Sequence, residues 1–123
     1  MGAQIVGALQ TVVSRQIDIT KVPAIVTIGA FQGGLRSNII SDSAVMLLSI
    51  CTFDQEMRND IFRKITSIAT HTALASDTTA SVMIDSGYHV TRNHVDLTKK
   101  MWPTLQRAAG ASGVIESGLV TGS

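Results

Sequence analysis

Histidine, cysteine, serine and carboxylates are the side chains from which most catalytic and metal sites are built. Three histidines are present, His71, His89 and His94. His71 falls in a helical stretch with no histidine or carboxylate four residues on, so the paired-ligand pattern of a HExxH metal site is absent and it reads as a helix-surface or packing residue. His89 and His94 have Asp85 and Asp96 nearby, but that loop-and-helix spacing matches no recognised zinc pattern. Gly110-Ala111-Ser112-Gly113 misses the spacing of a serine-nucleophile elbow and follows a helix rather than a strand. Gly29 to Gly34 has no Lys-Ser/Thr pair after it and no strand-glycine-helix order, so it fits neither phosphate-loop pattern. Cys51 is the single cysteine. It excludes an internal disulfide and a multi-cysteine metal site, fits a reducing compartment, and reads as a small apolar packing residue.

One segment stands apart. Gly33-Gly34-Leu35-Arg36-Ser37-Asn38-Ile39-Ile40 combines a permissive glycine pair with a guanidinium and a carboxamide. It reads either as a plain connection in which Asn38 makes a turn bond, or as a ligand loop in which Asn38 donates to a carbonyl or carboxylate at a domain boundary.

The elements that must position this loop follow from periodicity. Ile5, Leu9, Val12, Val13 and Gln16 fall near one face of a first helix over residues 4–16. Pro23 sets up an extended start, and residues 24–31 are β-branched and aromatic enough for a strand. A second strand over residues 44–52 follows the Ser41-Asp42-Ser43 turn without an intervening helix, so the two pair antiparallel. Thr52 or Asp54 caps the clearest helix, whose stripe runs Met57, Ile61, Ile65, Ile68 and Thr72 and which ends near Ala75 to Asp77. Residues 78–86 read as a third strand with Ala80, Val82 and Ile84 on one side. Asn93 is placed to cap a last helix with Leu97, Met101, Leu105 and Ala108 in line, and Pro103 inside it predicts a kink or break.

The order helix, strand, strand, helix, strand is that of an α+β, ferredoxin-like split βαβ sandwich with an antiparallel sheet, lacking its first strand. Two helices on one face of the sheet are expected. The 123 residues allow one domain with its own core. Ten Lys and Arg against nine Asp and Glu, with no basic cluster beyond Lys99-Lys100, give no nucleic-acid surface. No apolar run approaches the ~20 residues of a membrane span, and no secretory leader is read at the start. The composition, 45% hydrophobic and 15% charged, is more apolar than usual and suggests a face reserved for a partner, or a piece of something larger.

The loop and its neighbours carry a family resemblance. Strand-Gly33-Gly34-x-x-x-Asn38-Ile39-Ile40, then Ala44 to Ile50, Thr52-Phe53-Asp54 and Arg58, resembles the small domain of the M20 family of metal-dependent amidohydrolases and peptidases. The likeness is to its aminoacylase-like branch, with hippurate and indole-acetyl-amino-acid hydrolases. Gln4 to Arg15 resembles that domain's first helix. Gly87-Tyr88-x-Val90-Thr91-x-Asn93 resembles the return to the catalytic domain, and Leu119-Val120-Thr121-Gly122 the run before its next acidic motif.

The resemblance implies a partial small dimerisation or lid domain over residues 1–87 and a truncated start of the returning catalytic segment over 88–123. It implies a cytoplasmic parent hydrolase that cleaves N-acyl amino acids with two divalent ions, zinc or manganese. The ligands and glutamate base of that centre lie outside this chain, so the chain alone is expected to be inactive, with no cofactor of its own. Asn38 matches the family's substrate-facing asparagine, supported by Gly33 and Gly34. Cys51 stands where the family has arginine, Ser41 after Asn-x-Ile where it has proline, and His89 replaces another proline. A homodimer through the small domain is implied, with the first helix or the Ala44 to Cys51 region as contact surface. The competing reading is a stand-alone, non-enzymatic α+β interaction module.

Overall fold

The computed structural model describes residues 1–118 as two compact units, one of Met1–Gly87 and one that starts at Tyr88. The Leu119 to Gly122 resemblance lies outside the described residues. In the first unit, α1 (Gly2–Thr11) runs into a five-residue π-helical stretch, Val12–Gln16. Ile5, Leu9 and Val12 are buried at the expected spacing. Gln16 is exposed rather than on the apolar face, and Nε2 donates to Thr11 Oγ1 at 2.7 Å. The wider π turn spends an extra residue, so Ile17 is the next side chain to reach the core.

Strands β1 (Ala24–Gly33) and β2 (Ala44–Thr52) form an antiparallel pair, and among the described residues they are the whole sheet. The register steps at Gly29: Ile28 faces Leu48, and Ala30 faces Leu47. This bulge resets the side-chain alternation. Val26, Ile28, Met46, Leu48 and Ile50 pack against the helices, while Ile25, Val45 and Leu47 are exposed.

Helix α2 (Gln55–Leu74) starts at Asp54, whose Oδ1 accepts from the Met57 amide at 2.7 Å. Ile61, Ile65, Ala69 and Ala73 are its buried line. It ends in a Schellman motif: the Thr78 amide donates to Ala73 O, the Asp77 amide to Leu74 O, both at 3.1 Å, and Asp77 takes φ +52°. The core joins both helices to one face of the hairpin.

The fold is thus α+β, and among the described residues its sheet is open and two-stranded and does not make up the closed ferredoxin-like sandwich. The expected third strand, residues 78–86, is no strand of the sheet. Strand formation needs a hydrogen-bonding neighbour as well as a suitable sequence, and among the described residues none lies alongside. Ala80 and Val82 still pack against the core, whereas Ile84 is 42% exposed.

In the second unit, α3 (Val95–Ala109) is capped by His94, one residue after the expected Asn93, with the Leu97 amide donating to Nδ1 at 3.4 Å. The helix continues through Pro103, so the predicted break is absent. Proline removes one amide donor, which the surrounding turns tolerate. Leu97, Met101 and Leu105 remain exposed.

Candidate functional site

The hairpin holds the candidate loop at the end where β1 closes and β2 opens. Gly33 pairs with Ala44, and a Cβ at Gly33 would lie 3.0 Å from that of Ala44, so the strands approach too closely there for a comfortable side chain. Gly34 has φ +87°, which only glycine adopts without strain. These two residues turn the chain out of the sheet into an exposed connection over residues 34–43. Its internal ties are few: the Ile39 amide donates to Arg36 O at 3.4 Å, and Ser41 Oγ donates to Ser43 O at 2.6 Å. Asn38 sits in this connection, exposed, and its carboxamide bonds no group among the described residues. The turn bond that would account for Asn38 locally is therefore not made. Its Nδ2 donor and Oδ1 acceptor face solvent, chemistry suited to a carboxylate or amide carbonyl.

The other candidates are not gathered here. His71 is on α2, where Nδ1 donates to the Ser67 carbonyl at 2.7 Å. His94 caps α3, His89 is exposed, and Cys51 is exposed in β2 opposite Ile25. Cys51 is thus on the outer face of the hairpin and not in the core as expected. Among the described residues no group of three or more His, Cys, Asp and Glu side chains could hold a metal ion. The described residues do not fit a two-metal centre.

Two carboxylates are held below their usual range, both on other elements. The Thr20 side chain and amide hydrogen-bond Asp18, with Lys21 adding a smaller effect. Arg63 and then Lys64 lower Asp60, the latter at 3.1 Å. The sequence reading missed the role of Arg58, whose Nη1 donates to Ser86 O at 3.1 Å and ties the far end of residues 79–86 to α2. It also missed an open groove of about 420 Å³ in which Ile84 lies near Phe62 and Thr66. Phe62, widening the helical stripe, was the available signal. Among the described residues, no helix is long and apolar enough to cross a membrane.

No family model matches the chain. Over 85 residues it is 34% identical to an N-acetyl-L-cysteine deacetylase of Bacillus subtilis (strain 168), which takes in 69% of this chain and 20% of the relative. An N-acetyldiaminopimelate deacetylase of Bacillus pumilus is 30% identical over 112 residues, 91% of this chain and 29% of the relative. One from Lactiplantibacillus plantarum is 33% identical over 98 residues, 79% of this chain and 25% of the relative. The chain spans between 20% and 29% of the length of these curated relatives. Through these partial matches, the chain is homologous to a portion of the M20-family deacetylases and amidohydrolases.

Proposed function

We propose that the chain is the dimerisation and substrate-lid part of a metal-dependent hydrolase that cleaves the amide bond of N-acyl amino acids. The observation that carries this reading is the similarity to deacetylases over most of this chain but under a third of theirs. Residues 1–87 form the small domain and residues 88–123 begin the return to the catalytic part. Asn38 donates from Nδ2 to the substrate's carboxylate or carbonyl, and Gly33 and Gly34 shape the loop that carries it. Two divalent ions, zinc or manganese, belong to the remainder of such an enzyme and polarise the amide there.

Exposed Ile25, Val45 and Leu47 on the outer face of the hairpin support a homodimer, since an apolar sheet face favours a protein partner. The purified chain tests the reading. Light scattering should give twice the 13.0 kDa chain mass. N-acetyl amino acids with added zinc or manganese should not turn over. A stable monomer at about 100 μM would refute the dimer, and chelator-sensitive turnover would refute the non-catalytic assignment.

A further inference from the structure

Arg36 differs from the other cations of the first unit. Arg15 donates to the Ser14 carbonyl at 3.4 Å, Lys21 pairs with Asp18 at 3.7 Å, Arg63 and Lys64 share Asp60, and Arg58 holds the Ser86 carbonyl. The exposed Arg36 guanidinium bonds no group among the described residues. Asp42, the carboxylate of the same connection, is not paired with it.

The backbone sets this charge beside Asn38. The Ile39 amide donates to the Arg36 carbonyl and closes a turn with Ser37 and Asn38 at its tip. That bond uses only main-chain atoms, so the side chains of Arg36 and Asn38 both stay unspent. Two residues apart, their Cα atoms lie within about 7 Å. The arginine stem is the longer, so its charge serves groups farther out than the carboxamide does.

Leu35 is 102% exposed and Ile40 is 94% exposed, one on either side of this turn. A surface that covers them takes Arg36 out of water as well, and a desolvated guanidinium needs an anion. The described residues supply none to it.

We propose that Arg36 is a specificity-determining residue that binds a second carboxylate of the substrate, apart from the group held by Asn38, so that the favoured substrates are N-acyl amino acids with an acidic side chain. This inference rests on the hydrolase reading. The guanidinium fork takes both oxygens of one carboxylate. A substrate with a neutral side chain leaves Arg36 covered and unpaired, and that penalty sets the discrimination.

The test grafts the chain into the Bacillus pumilus N-acetyldiaminopimelate deacetylase over the matched 112 residues. The substrates are N-acetyldiaminopimelate and the same compound with its distal carboxylate converted to a carboxamide. R36Q should lower kcat/KM about tenfold or more on the diacid and leave the distal amide within about twofold. R36K, which keeps the charge without the fork, should restore part of the preference. An equal loss on both substrates would overturn the proposal, because Arg36 would then pair with the protein. So would a loss that disappears only when the carboxylate beside the acetylated nitrogen is amidated, or no loss at all. N38A separates the two claims: a graft weakened by N38A but indifferent to R36Q overturns this inference alone, whereas a folded, inactive graft overturns the hydrolase reading and this inference with it. Residues 35–38 placed alone in the deacetylase carry the same comparison where the larger graft does not fold.

Discussion

Phe31 faces Met46 across the hairpin, and it does so because Gly29 is an extra residue in β1. Both side chains reach α1: a Cβ at Gly2 would lie 2.7 Å from Phe31 Cζ and 3.5 Å from Met46 Cε. Were Gly29 paired in line rather than bulged, Ala30 would oppose Met46 and Phe31 would turn to the outer face. Deleting Gly29 should remove the bulge but leave Ala30 opposite Leu47 and Phe31 opposite Met46, so the nuclear Overhauser contacts between the Phe31 ring and α1 should be retained, whereas inserting a second residue beside Gly29 should cost them. Loss of those contacts in the deletion variant would refute the register.

The buried line of α2 dominates the stability of the first unit. Ile61 is fully buried, whereas Ile25 is 43% exposed. I61A should cost about 2–5 kcal/mol and I25A under about 1 kcal/mol. For a unit of this size each kcal/mol is about 4–8 °C in Tm. Equal losses in the two variants would contradict the assignment of Ile61 to the core.

The end of α2 stores strain that a single change can relieve. Asp77 holds φ +52° at the position where glycine is usual in this motif. Its side chain makes no hydrogen bond among the described residues to offset that. D77G should raise stability by about 0.5–1 kcal/mol, read as a Tm increase. A decrease would mean that the aspartate has a role the motif does not require.

Asp60 links stability to acid pH. Arg63 and Lys64 depress its carboxyl below the ordinary 3.8, so the ionised form is favoured in the folded state. The stabilisation is complete above the unfolded pKa and disappears as pH falls through the lower folded one. Arg63 is 78% exposed, so the effect is small and salt-screened. The Tm difference between wild type and D60N should shrink as pH drops below 3.8 and as salt is raised at neutral pH. A difference that grows on acidification would contradict the pairing.

Much of this architecture was legible because it rests on local signals. Ile61 and Ile65 repeat at helical spacing, Asp54 is a ready cap, and the stretch from Ala24 is β-branched, so α2 and the hairpin were readable from the chain. Residues 78–86 have the composition of a strand, but their state depends on a neighbour that local pattern does not supply. The Gly29 bulge follows from which side chains must reach α1, a tertiary demand that strand alternation alone does not reveal. The exposure of Cys51 is set in the same way, by its pairing with Ile25 on the face away from the helices. Asn38 could be picked out by its glycine-rich surroundings, yet sequence alone left its turn bond open.

The central claim is that this chain serves as the lid of an N-acyl amino acid hydrolase, with Asn38 on the substrate. It is tested most directly by grafting the chain into the Bacillus pumilus N-acetyldiaminopimelate deacetylase in place of the matched 112 residues. The account predicts that the graft deacetylates N-acetyldiaminopimelate, and that N38A within it lowers kcat/KM about 10- to 100-fold, the loss expected for one hydrogen bond to a charged group. A graft that folds, as shown by circular dichroism and a cooperative melt, but has no activity would contradict the account. So would an active graft in which N38A changes nothing.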